Sequence, residues 1–207
     1  MYIPEIYNNT DMDKINQFIR ANSFADLVTV NEGKVSSNKV PFLYNEEEGV
    51  LYGHFGKTNP QLAELELCPE VLVIFSGADA YISPHWYVSK NLVPTWNFQS
   101  LQVRGKARTV DKAGLLEILT KLTEFHEAKL QAPWSIDSLP PESLEMMLNM
   151  IVGFEIQISD IKFKEKMSQN RSAEDRSSII AILKDQSCGV SPEDRVSQLM
   201  KDSLENS

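Results

Sequence analysis

The chain has 207 residues, 42% hydrophobic and 24% charged, with a formal net charge of −9. That length permits a sizeable buried core, and the composition is that of ordinary soluble globular proteins. An acidic chain repels phosphate backbones and anionic lipid, so binding to either requires a local basic patch working against the overall field. Cys68 and Cys188 stand far apart in unlike contexts, with no CxxC or His–Cys spacing, so no metal site is read. Two free thiols fit a reducing cytoplasm, the expected location. The segment MYIPEIYNNTD has no basic stretch followed by an apolar one, so no signal peptide is read. No apolar run approaches the roughly 18 residues of a membrane span.

Asp11 is placed to cap a helix ending near Asn22, with Ile15, Phe18 and Ile19 on one face. Phe24 to Val30 reads as a first strand. Val40 to Tyr44 and Val50 to Phe55 read as a hairpin around Asn45–Gly49, whose three glutamates form a solvated turn. Asn59 caps a short helix with Pro60 at its first position, running to about Leu67. Val71 to Phe75, five apolar residues in a row, reads as a strand buried on both faces.

Leu101 to Val110 alternates as another strand, and Asp111 opens the longest helix, to about Lys129. Within that helix His126 and Glu127 are expected as a buried pair. Pro140-Pro141 precedes a helix holding Leu144, Met147 and Leu148, its methionines read as core filler. Gly153 to Phe163 is a final strand. Ser172 with Asp175 opens a helix through Leu183, Cys188-Gly189-Val190 reads as a connector, and Ser191-Pro192 opens another helix. The last twenty residues are polar and are expected to carry no site. Short strands with inserted helices, and no regular βαβ alternation, point to a mainly β, α+β fold: an antiparallel barrel rather than a Rossmann sheet.

Between these elements, Gly77 to Gly105 is both aromatic and polar. Tyr81, Trp86, Tyr87, Trp96 and Phe98 alternate with Ser83, His85, Ser89, Lys90, Thr95 and Asn97. Rings that stack, beside short polar groups that orient, describe a pocket wall for a flat ligand with a polar rim. Half-buried strands with wet aromatic tips would give the same composition.

The order of motifs carries more than any one of them. Tyr2-Ile3-Pro4 comes first, then Asn38-Lys39-Val40-Pro41-Phe42 and Gly53-His54-Phe55-Gly56-Lys57-Thr58-Asn59-Pro60. Ala80 to Tyr87 (AYISPHWY) and Val93 to Phe98 (VPTWNF) follow, with Val152 to Ile156 and Lys166 to Arg171 (KMSQNR) near the end. In this order, as far as about Leu183, the set resembles the PaiB family, FMN-binding negative transcriptional regulators on the split-barrel flavin-binding fold. Two positions depart from that family's pattern: Lys39 where His is expected, and Lys57 where Arg is usual. Lys57 keeps the charge without the two-pronged guanidinium contact.

The resemblance implies an FMN-binding split-barrel domain over residues 1–166, with 167–207 a C-terminal helical extension. It implies a homodimer with FMN at the subunit interface, and the chain agrees in lacking a GxGxxG dinucleotide motif. For the phosphate, Lys57, Thr58 and Asn59 stand just before a helix, with Asn38 on a neighbouring strand. For the ring, Trp86 and Trp96 are expected, at least one of them purely structural, with Tyr81, Ser83, Thr95 and Asn97 at the polar edge. Lys90 is the nearest cation for the reduced ring. Plain structural readings compete at each position: Asn59 as a cap, Lys57 and Lys90 solvated, Trp96 a core anchor.

The family description implies a repressor. Direct DNA contact has little support from the residues, since the net charge has the wrong sign and no basic recognition helix is visible. Arg104, Lys106 and Arg108 on one strand face, or Arg171 and Arg176, are the first places to look. The alternative is an FMN-dependent oxidoreductase acting on a small molecule, which fold analogy alone cannot separate from the first.

Overall fold

Three long strands carry most of the fold in the computed structural model, which describes residues 1–186 and 192–205. They are β6 (Glu70–Ile82), β7 (Thr95–Thr109) and β8 (Ile151–Lys166). With β1 (Asn8–Asn9), β2 (Phe24–Asn31), β3 (Lys34–Pro41), β4 (Leu43–Asn45) and β5 (Val50–Gly56) they form an eight-stranded antiparallel sheet. Its order is β3-β2-β6-β7-β8-β5-β4, with β1 paired to β8. The helices are α1 (Met12–Ala21), α2 (Gln61–Leu67), α3 (Lys112–Glu127), α4 (Pro141–Leu148), α5 (Ala173–Gln186) and α6 (Pro192–Glu205). The expected α+β antiparallel architecture is what the chain adopts.

Several elements are longer than their patterns predict. β3 is a strand because Glu32 and Gly33, both at positive φ (48° and 79°), reverse the chain tightly and lay Lys34–Pro41 along β2. Its polar sequence hides it from a hydrophobicity reading. β6 continues past Phe75, where its burial alternation slips by one residue, from Val71, Val73 and Phe75 to Ala78, Ala80 and Ile82. The same alternation corrects the expectation for Val71–Phe75: Val71, Val73 and Phe75 are buried while Leu72 and Ile74 are only half-buried. Cys188-Gly189-Val190 and Ser191 lie outside the described residues.

Contacts divide the chain into two units, each discontinuous in sequence and each with its own core. One comprises Asn16–Phe75 and Gln102–Ile161. Phe154, fully buried, is its centre, stacked on Phe55 at 4.5 Å and edge-on to Phe42 at 6.2 Å. Asp111 Oδ1 accepts from Gly114 N–H (2.8 Å) to start α3, which buries Leu115, Ile118 and Leu122. Met147 is 51% exposed on α4, so it does not fill the core as expected. His126 is exposed, its ring against Phe125, while Glu127 accepts from the Trp134 N–H, so the expected buried pair does not form.

The other unit comprises Met1–Ile15, Ser76–Leu101 and Lys162–Ser207. Its core joins Ala78, Ala80, Ile82, Tyr87 and Met167 to Ile179, Ile180 and Leu183 of α5 and Val196 and Met200 of α6. Asp175 is almost fully buried at the start of α5, where its carboxylate accepts from Ser89 N–H at 2.8 Å. The backbone N–H of Ser89 holds that carboxyl below its usual 3.8. Folding thus favours the ionised form, a contribution present above the unfolded pKa and lost as pH falls through the lower native one. In urea melts, the stability gap between wild type and Asp175→Asn should be widest near neutral pH and close on acidification. A gap constant down to about pH 2 would contradict this.

Candidate functional site

The residues expected to hold a cofactor fall into two groups, one in each unit. In the first, β5 ends at Gly56 and the chain turns into α2. Lys57 N–H donates to Met150 O (2.9 Å) and Asn59 N–H to Gly56 O (2.9 Å), fixing the turn while the Lys57 and Thr58 side chains stay exposed. Asn59 Oδ1 accepts from Gln61 N–H at 3.0 Å, so Asn59 caps the helix. Asn38 Nδ2 donates to Gln61 Oε1 at 2.9 Å. Lys39 is paired with Asp26 at 2.8 Å.

Gln61, which the sequence reading passed over, anchors this group. It is 1% exposed, and its Nε2 donates to Leu27 O and Thr29 Oγ1, each at 3.0 Å. Glu64, one turn on, accepts from the hydroxyls of Thr29 and Ser36. Together these bonds lock α2 onto β2 and β3. His54 on β5 has a buried Nδ1 with no hydrogen-bond partner, and burial pushes its pKa down, which keeps the imidazole neutral.

In the second group, Ser83 Oγ accepts from His85 N–H (3.3 Å) and starts the short 3-10 turn Pro84–Trp86. Trp86 packs partly buried against the helical core, whereas Trp96 is 53% exposed and meets the exposed Tyr81 ring edge to face at 5.8 Å. Asn97 is fully buried; its amide donates to Met200 Sδ and accepts from Ser168 Oγ. Thr95 Oγ1 accepts from Lys166 Nζ. Lys90 is exposed.

Two features here were not expected. Lys166, first residue of the KMSQNR motif, reaches into the aromatic stretch. Tyr87, 8% exposed, has an Oη with no hydrogen-bond partner; burial raises its pKa against the lowering charge of Arg171, whose guanidinium sits 5.3 Å from the ring. Lys166 stands in a visible motif, but nothing in the motif points to its partner; Gln61 had only its place after Asn59-Pro60.

Two of the three cations in the basic stripe are already answered by acids. Lys106 faces Glu70 at 3.5 Å and Arg108 faces Glu155 at 2.5 Å. Arg176 is 3% exposed and donates to Met200 O. No helix among the described residues is long and apolar enough to cross a membrane.

Each unit's group fits part of FMN in kind: in one, an exposed ammonium and hydroxyl at a tight turn; in the other, a pair of exposed rings. The fold is shared with solved flavin proteins. The FAD and haem binding protein of Mycobacterium smegmatis superposes with a TM-score of 0.61 at 14% identity, covering 83% of this chain and 80% of that one. The flavocytochrome Anf3 of Azotobacter vinelandii gives 0.59 at 15% identity, covering 83% and 75%. This is the split-barrel class of flavin-binding protein. Residues 1–160 match the family model described as "Putative FMN-binding domain". Protease synthase and sporulation protein PAI 2 of Bacillus subtilis is 40% identical over 188 residues, 90% of each chain. An uncharacterised protein of Emericella nidulans is 29% identical, over 87% of this chain and 89% of its own. The chain belongs to the PaiB family, and its cofactor is FMN.

Proposed function

We propose that this protein is an FMN-binding regulator that acts in the cytoplasm as a homodimer and lowers transcription of its targets. The FMN-binding part extends over residues 1–166, and 167–207 are a helical extension. The sporulation role in the name of the Bacillus relative supports a regulatory reading. The observation that carries flavin binding is the exposed Tyr81–Trp96 ring pair, a hydrophobic surface that a stacked heterocycle would cover.

Lys57 and Thr58 are the phosphate ligands in this reading, with Asn38 and Asn59 holding their turn through Gln61. Trp96 stacks on the ring, with Ser83 and Thr95 at its edge. Trp86 and Asn97 support the wall from behind, and Lys90 lies at its rim. When bound, FMN supplies redox chemistry; the residues named bind and orient it.

The visible absorption spectrum of the purified protein, before and after adding FMN, tests the cofactor; colourless protein that takes up no FMN would refute it. Trp96→Ala should weaken FMN about tenfold or more, roughly 1.4 kcal/mol, with stability changed by no more than about 0.5 kcal/mol, as for a surface site. Trp86→Ala should instead mainly destabilise. A Trp96→Ala protein with full FMN affinity would remove that residue from the site. For regulation, binding to promoter DNA should appear at low salt and weaken as salt rises. No affinity at any salt would mean that repression runs through a partner protein. Sedimentation reports the dimer.

A further inference from the structure

Lys164, Lys166 and Arg171 have no role so far. None of the three forms an ion pair among the described residues, although the chain carries a net charge of −9. Glu165, which stands between the lysines, is taken by Asn9 Nδ2 (2.9 Å) and Gln99 Nε2 (2.7 Å). Unanswered cations held close together at a half-buried place are costly unless an anion arrives. Burial, then the charges of Lys164 and Arg171, push the Lys166 pKa down, a strain that an incoming anion would relieve.

Strand geometry says what kind of anion. Lys164 Nζ lies 5.3 Å over the Phe98 ring, on neighbouring strands β8 and β7. Residues two apart on a strand share a face. In an antiparallel sheet, the step from Phe98 to Trp96 therefore matches the step from Lys164 to Lys166, which sets Lys166 alongside Trp96. The Lys166 ammonium is held at the start of β7 by its bond to Thr95 Oγ1. Trp96 in turn touches Tyr81. One face of one unit thus offers two exposed rings with ammonium groups at their side, a platform for a flat ligand that is anionic along an edge.

We infer that Lys166 is the cation that meets the N1–C2=O edge of the FMN ring stacked on Trp96, and that it makes the protein favour reduced over oxidised FMN. This rests on the flavin reading above and replaces Lys90 as the cation for that edge. Uptake of two electrons and one proton turns the neutral oxidised ring into an anion whose charge lies on N1 and the C2 oxygen. A partly desolvated ammonium beside that edge attracts the reduced ring far more than the oxidised one, and the effect exceeds that of a fully hydrated lysine. Lys164, stacked over Phe98, adds to the same field.

The test measures dissociation constants of oxidised and dithionite-reduced FMN, and of riboflavin, which lacks the phosphate. Wild type is compared with Lys166→Met, Lys90→Met and the surface control Lys121→Met. Lys166→Met should lower the preference for the reduced form about tenfold for both ligands, a fall of ~30 mV in the two-electron potential of the bound cofactor. Lys121→Met should leave it unchanged. An unchanged preference in Lys166→Met, or the tenfold effect appearing in Lys90→Met instead, overturns the assignment. So does an equal loss of both redox forms of FMN with riboflavin untouched, which would make the cluster a phosphate site. If wild type takes up no flavin, the cofactor reading itself fails and this assignment with it. If wild type binds and only the preference is unaltered, the assignment alone falls.

Discussion

Replacing Phe154 with alanine should cost about 3–5 kcal/mol, the range for a large aromatic removed from a core that cannot collapse. Its ring is fully buried, stacked on Phe55 and edge-on to Phe42. Gly53 faces it so closely that a Cβ there would lie 2.7 Å from the ring's Cζ, so glycine at that position is what admits the ring. Phe55 and Gly53 belong to β5, whose ladder with β8 runs from Val50–Gln157 to Gly56–Ile151. Strands fixed on that register cannot close over the void. The urea midpoint should fall with little change in the slope. A loss below about 1 kcal/mol would mean that the aromatic cluster is far more adaptable than its packing indicates. Leucine at the same position should recover part of the loss, because it refills some of the volume.

Gln61→Leu should cost about 2–4 kcal/mol and weaken FMN binding together. The side chain donates to Leu27 O and Thr29 Oγ1 and accepts from Asn38, and leucine can do none of these. Each buried group left without a partner costs about 1–3 kcal/mol, although the exposed Asn38 amide can turn to water, which limits the sum. Gln61→Glu should be worse at neutral pH. It loses the donor and sets a buried carboxylate near the carboxylate of Glu64. Burial and repulsion raise the native pKa of such a group, so the variant should regain stability as pH falls. Denaturant melts across pH, with FMN titration at neutral pH, check both claims. If Gln61→Leu melts like wild type, the network does not hold α2. If it is destabilised but binds FMN normally, the turn at Lys57 and Thr58 does not depend on that helix.

Much of the fold could be read from the residues because period and punctuation agree there. Asp11 and Asp111 cap where caps were expected, and Asn59 caps α2 through its side chain as predicted. Strand lengths were less legible. β3 is made by a reversal at Glu32–Gly33, and its ladder to β2 tolerates Lys34, Ser36, Ser37, Asn38 and Lys39 because only Val40 points fully inward. The ring-bearing stretch read as one wall is several elements with opposite burdens. Trp86 packs on the helices, Trp96 faces out, and Asn97, one residue further, is sealed inside by Ser168 and Met200. Alternation along β7 separates neighbours in this way, and a composition argument cannot see it. Lys166 was hidden for a different reason: its partner lies 71 positions away, and one sequence carries no signal for that distance.

The pairing of β1 with β8 also bears on how the chain assembles. Asn8 lies opposite Lys164, and Asn9 bonds Glu165 across 156 positions. Such a closure cannot form on a ribosome until the paired residues of β8 have emerged. Folding should therefore be slow, on the millisecond-to-second scale of proteins rich in distant contacts. Until then the early strands stand unsheltered and would be ready clients for chaperones.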